Sequence, residues 1–226
     1  MIRRWEGALA ALCLAVAGLV GLAVVWAQPA VYADIAARER FAPATFHFVH
    51  DGAAYRLELP ELVGLHTSWL RYVTGRATGG PGGTMTMDFF TVAEQRHMAD
   101  VRVVFIAAEI AALVAAAILF VLIASVRARG SGALARLFRS AAIAAGIGVA
   151  VLAAAAALSF DALFLAFHEV FFPQGNFLFD PATSNLLTLY PDEYWYGVTL
   201  RIGVSFVVAC VLIGAIAHAT LRAGRR

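Results

Sequence analysis

Four runs of the chain are almost wholly apolar and long enough to cross a bilayer: Gly7–Ala27, Val101–Val126, Ser140–Phe167 and Val198–Leu221. A hydrocarbon core of ~30 Å takes about 20 helical residues, and helical backbone satisfies its own polar groups there. With their flanks, the runs predict transmembrane helices over 7–27, 97–126, 140–168 and 198–221. Arg3, Arg4 and the Val25-Trp26-Ala27 sequence give the first run the look of a cleaved secretory signal. Its apolar stretch exceeds the usual ~7–15 residues of such signals, which predicts a retained anchor.

The pattern changes in the two longer segments between the runs, 28–96 and 169–197. Thr45–His50 and Ala54–Leu59 alternate in polarity around Asp51-Gly52, which predicts a β-hairpin. Pro60 and Glu61 then open an amphipathic helix with Leu62, Leu65, Trp69, Tyr72 and Val73 along one face. That face suits either the membrane surface or the hairpin. Gly79–Gly83 reads as a flexible break, and Thr91-Val92-Ala93-Glu94 as a capping box that starts the second membrane helix near Thr91. The stretch from Gly175 to Tyr196 is aromatic and punctuated by proline, as in a re-entrant or interfacial segment, with Tyr194, Trp195 and Tyr196 as interface anchors. The expected fold class is an α-helical membrane protein: a four-helix transmembrane bundle with a small extracytoplasmic domain containing a β-hairpin and a second extracytoplasmic re-entrant or interfacial loop.

Arginine placement gives the orientation. Arg127, Arg129, Arg136 and Arg139 fall in the short segment 127–139, Arg3 and Arg4 at one terminus, and Arg222, Arg225 and Arg226 at the other. Segment 169–197 holds acidic residues and no arginine. The positive-inside rule then puts both termini and segment 127–139 in the cytoplasm, and 28–96 and 169–197 outside it.

Composition narrows the function classes. The chain is 62% hydrophobic and 14% charged, a balance that points away from a soluble domain. No basic run with interleaved aromatics marks a nucleic-acid partner. Cys13 and Cys210 sit inside apolar runs and no CxxC is present, so both read as small hydrophobes rather than redox or zinc-binding groups. His47, His50, His66 and His218 read as surface or interfacial residues. His97 and His168 differ, because the predicted topology brings both to one membrane level, in helices joined by a short loop. Glu94 and Asp100 flank His97 at three residues, within reach on a helix. Asp161 precedes His168 by seven residues on the same helix face, and Glu169 follows it. Intramembrane charges mark functional sites by default, so Asp161 or Glu109 with Arg102 or Arg201 suggests an ion pair, with helix registry as the plainer reading.

Two blocks carry a resemblance. EQRHMADV at Glu94–Val101 and FHEVFFPQGNFLFDPATSNLLTLYPDEYWY at Phe167–Tyr196 are similar to the signature blocks of the bacterial lipoprotein intramolecular transacylases (Lit), with weaker support from RYVTG at Arg71–Gly75. The resemblance implies an inner-membrane acyltransferase without cofactor or metal. Its substrate would be a diacylglyceryl-modified lipoprotein, whose sn-2 acyl chain moves to the α-amine of the N-terminal cysteine to give the lyso form. It also implies that His97 and His168 are the catalytic pair, with Glu94, Asp100, Asp161, Glu169, Arg102 and Arg201 as supporting residues. The residues leave open which histidine is base and which acid; His168 is taken as base, with His97 polarised by Asp100 or Glu94. Two other readings remain at this stage: a haem-binding electron-transfer protein with His97 and His168 as axial ligands, and a non-enzymatic membrane assembly factor. Oligomeric state is not legible.

Overall fold

The apolar runs fold as helices. In the computed structural model, which describes residues 2–77 and 88–224, these elements are α1 (Arg4–Trp26), α2 (Pro29–Glu39), β1 (Ala44–His47), β2 (Ala54–Leu57), α3 (Leu59–Val73), α4 (Val92–Arg127), α5 (Ser131–Leu158), α6 (Phe160–Phe171), α7 (Asn185–Leu189) and α8 (Asp192–Ala223). Four of them, α1, α4, α5 and α8, are long and apolar enough to cross a membrane. The chain divides into two compact units, one of residues 1–25, 108–158 and 199–226, the other of 26–107 and 159–198.

The first unit is a helical bundle packed through small residues. Its core is built from side chains such as Ala10, Leu137, Ala141, Ala145, Val149, Phe206 and Cys210. Large apolar side chains such as Leu113, Phe120 and Ile216 point outward, the inversion expected where the solvent is lipid. Gly203 lets helices approach closely, since a Cβ there would stand 2.9 Å from that of Ala153. Both cysteines are buried free thiols. At one end Arg129 grips the buried Glu6 carboxylate with two hydrogen bonds of 2.7 and 3.2 Å. That clasp ties the start of α1 to the turn after α4.

The second unit has its own core. The hairpin forms as expected, with Ala44 opposite Leu57 and His47 opposite Ala54, and its buried Phe46 and Leu57 face inward. The strands are shorter than the alternation suggested, because Phe48 and Ala53 already belong to the turn, where Gly52 adopts φ 73°. Helix α3 starts with a capping box in which Glu58 is the cap and Glu61 the reciprocal partner. All five residues of its expected apolar face are buried. The face packs inside the unit, with α2 as a neighbour. Gly79–Gly83 lies outside the described residues.

Four expectations need correction. Residues 29–39 form a helix not foreseen, α2, which begins at Pro29 and buries Tyr32, Ile35 and Ala36. The stretch 140–168 is not one helix: α5 ends at Leu158, Ser159 departs from helical geometry (φ −155°, ψ 70°), and α6 follows. Tyr194 is not an interface anchor but 1% exposed, packed among Tyr32, Tyr190 and Trp195. His66 is not at the surface. It is fully buried, stacked on Tyr32 at 4.4 Å with 10° between the rings. A carbonyl only accepts, so His66 Nε2–H donates to Ala27 O at 2.9 Å and Nδ1 accepts from the Tyr190 hydroxyl at 3.0 Å. Burial pushes the His66 pKa down to about 4, the Ala27 carbonyl opposing it only in part.

Candidate active site

His97 sits in the second turn of α4, and the start of that helix is fixed by one carboxylate. Glu94 is 1% exposed and accepts four hydrogen bonds: from Thr91 N and Oγ1 (2.8 and 2.9 Å), Ser184 Oγ (2.6 Å) and Leu186 N (2.9 Å). The capping box read from Thr91 and Glu94 is therefore present and extended, because the same side chain also anchors the start of α7. Both of its oxygens are engaged there, away from His97.

His168 lies on α6 one turn after Phe164 and one turn before Phe172. Its ring centroid stands 5.9 Å from that of His97, the planes 23° apart. Phe172 touches both imidazoles, at 4.8 and 5.4 Å between centroids. Phe164 and Phe177 close on His168 at 4.3 and 5.1 Å, and Phe179 on His97 at 5.6 Å. A wall of aromatic rings lowers the local dielectric and strengthens any electrostatic interaction made there.

The hydrogen bonds set the chemistry of each ring. His168 Nδ1 meets the Phe164 carbonyl at 2.8 Å. Neutral His168 must donate from Nδ1, so Nε2 carries the lone pair. On the other side, Asp100 Oδ2 accepts from Asn176 Nδ2 at 2.6 Å and Gln174 Nε2 at 2.9 Å. Asn176 also reaches the His97 side chain. Its Oδ1 and His97 Nδ1 are both buried without a partner of good hydrogen-bond geometry. Asn176 thus stands between Asp100 and His97, a part that sequence reading missed. The available signal was the run Gln174-Gly175-Asn176, where Gly175 at φ 75° turns the chain back.

The remaining expected residues fall elsewhere. Asp161 is exposed in the first turn of α6, with Asp192 as a charged neighbour, and Glu169 is exposed beside His168. Arg102 donates to Ala77 O at 3.1 Å and lies 4.8 Å over the Tyr72 ring, fastening the end of α3 to α4. Arg201 and Glu109 belong to the other unit.

The chain is thus a helical membrane protein in which two histidines stand side by side among aromatic rings. The sequence matches the family model of lipoprotein intramolecular transacylase Lit over residues 46–195, a span that holds both histidines. The chain belongs to that family, and is a membrane acyltransferase. Its fold is that of the membrane-integral Lit from Bacillus cereus, with a TM-score of 0.81 at 13% identity over 98% of this chain and 97% of that one. Two structures of histidine variants of the same protein, one to arginine and one to alanine, give TM-scores of 0.73 and 0.74 at 14% identity. They align over 98% of this chain and over 93% and 94% of theirs. Among curated proteins, no sequence matches significantly.

Proposed function

We propose that this chain transfers the sn-2 acyl group of a diacylglyceryl lipoprotein to the α-amine of its N-terminal cysteine, with His97 and His168 carrying the protons. The observation that carries the reading is the stacked pair itself, with His168 Nε2 left as a lone pair by the Nδ1–Phe164 bond. The amine, with a reference pKa of about 7.7–8.0, is roughly one-tenth free base at pH 7. Deprotonation alone therefore gains about tenfold, near 1.4 kcal/mol. The larger share comes from orientation and from stabilising the oxyanion.

In the proposed reaction the amine nitrogen attacks the ester carbonyl while His168 Nε2 takes its proton. The tetrahedral intermediate collapses as the C–O bond to the glycerol breaks, and the imidazolium returns the proton to that oxygen. One N–C bond forms, one C–O bond breaks, and no water or redox partner enters. His97, braced through Asn176 by Asp100, lies beside His168 to share the proton and polarise the carbonyl. General acid–base help of this kind contributes ~10²–10⁴-fold. Phe172 packs against both imidazoles, which favours this reading over a haem held between the two rings.

The arginine distribution supports a topology with both termini in the cytoplasm and the histidine pair at the extracytoplasmic face. The test is expression in bacteria that lack N-acylation of lipoproteins, with mass spectrometry of the lipoprotein N-termini. An acyl chain on the cysteine nitrogen and a free glycerol hydroxyl are expected. Unchanged diacylglyceryl lipoprotein alongside well-expressed enzyme overturns the proposal. For topology, a reporter fused after Arg226 is expected in the cytoplasm.

A further inference from the structure

The unit that lacks the histidine pair carries a groove of its own. Helices α5 and α8 run antiparallel there, since added Cβ atoms would bring Gly146 to 3.0 Å from the Cys210 Cβ and Gly203 to 2.9 Å from that of Ala153. Along this contact lies a cavity of about 540 Å³, with Gly146 and Ala150 on one wall and Val207 and Gly214 on the other. Clefts of ~300–1,000 Å³ hold single small ligands. Its lining is apolar except at one end, where Arg139 and His218 stand, and no acidic residue borders it among the described residues.

Two observations select an occupant. The groove follows α5 from Arg139 to Ala150 and α8 from Val207 to His218, eleven residue steps each (150 − 139 and 218 − 207). At ~1.5 Å per residue that is about 16 Å, or one leaflet of a ~30 Å hydrocarbon core. The second is charge: a permanent guanidinium and an imidazole donor, both exposed, sit where a leaflet-long chain would end in its headgroup. Arginine matches phosphate in a bidentate way, and basic pockets between membrane helices hold anionic headgroups. A second copy related by a twofold axis along the membrane normal would set its own Arg139 at the same depth, gathering two guanidiniums at one end of the shared groove.

We propose that this groove binds one anionic phospholipid, an acyl chain along the apolar wall and the phosphate between Arg139 and His218. Assigning the cytoplasmic leaflet rests on the topology proposed above; the binding site does not.

The test is native mass spectrometry of the full chain in mild detergent, titrated with phosphatidylglycerol or with phosphatidylcholine of the same acyl chains. One phosphatidylglycerol is expected to bind about tenfold more tightly: both lipids offer a phosphate, but in phosphatidylcholine the choline ammonium cancels its charge beside the Arg139 guanidinium. Arg139→Gln with His218→Gln, both at exposed positions, should bring phosphatidylglycerol down to the level of phosphatidylcholine. Gly214→Leu should weaken both lipids, because a Cβ there meets nothing within 4 Å and the side chain grows into the groove. Melting temperatures check that each variant is folded. Equal affinity for the two lipids overturns the proposal, as does unchanged binding in the folded double variant. Displacement of the lipid by inorganic phosphate alone would reduce the site to a headgroup contact and overturn it too. A lipid-free dimer that Gly214→Leu dissociates would assign the groove to a second copy instead. The readout is independent of acyl transfer, so its failure leaves the proposed reaction standing.

Discussion

Asn176→Ala cuts the connection between Asp100 and His97. Asn176 donates to Asp100 at 2.6 Å, while its own Oδ1 and His97 Nδ1 are both buried, neither with a hydrogen bond of good geometry among the described residues. A hydrogen bond to a charged group contributes ~1.5–3 kcal/mol. If that energy holds His97 in register for the transition state, kcat falls about ten- to a hundredfold, at ~1.36 kcal/mol per decade, and KM hardly moves. Asp100→Asn should cost a similar factor. The double variant should be scarcely slower than either single, because both break one chain of contacts. Gln174→Ala makes the control: it reaches the same Asp100 oxygen from an exposed position, and its loss should cost under ~1 kcal/mol. Single-turnover conversion of a diacylglyceryl lipopeptide to its lyso form, read by mass spectrometry, measures kcat and KM. Circular dichroism and melting temperature check the fold. A folded Asn176→Ala enzyme of normal kcat would refute the reasoning, as would losses that multiply in the double variant.

His97→Ala and His168→Ala should each remove most turnover in the same assay, with the double variant little worse, because residues that act as a unit are not additive; a folded His168→Ala enzyme of near-normal rate would end the proton-transfer scheme. For His66, protons prefer the unfolded chain between its ordinary pKa of 6.5 and the folded value of about 4. Stability should therefore be complete above pH ~6.5 and decline towards pH ~4 by about 3 kcal/mol, as thermal melts across that range would show, with the slope flattened in His66→Phe. Glu94→Ala should lower the melting temperature sharply, by ~3 kcal/mol or more of stability, because it strands Thr91, Ser184 and Leu186 donors; Glu94→Gln should recover part of that loss.

Periodicity and turn chemistry made much of this fold readable. The four apolar helices, the hairpin around Asp51-Gly52, the buried face of α3 and the cap at Thr91 all follow from local pattern. Helix α2 escaped because its apolar residues Tyr32, Ile35 and Ala36 form one short stripe among alanines and charges, weak without the α3 surface it meets. The break at Ser159 escaped because hydropathy is continuous across it. Asp100 belongs with the site, but spacing put it beside His97 directly, whereas Asn176 intervenes from 76 residues further along. Glu94 shows the opposite error. Three residues from His97 it invites a supporting role in polarising that ring, yet its oxygens serve partners that only tertiary structure brings near.

Helix α6 has no buried residue; Leu165, Phe167, Val170 and Phe171 are exposed along it, around a His168 that stacks on His97. Where the proposed reaction holds, the base stands on a helix whose exposed apolar side chains suit the medium that dissolves the acyl chain. The substrate then needs no tunnel and no desolvation of its tails. Encounter becomes a search in two dimensions, set by surface density in the bilayer rather than by bulk concentration. Rates for this enzyme would then be expressed per mole fraction of lipid, and diluting the substrate with inert lipid should slow it even when the total amount is fixed.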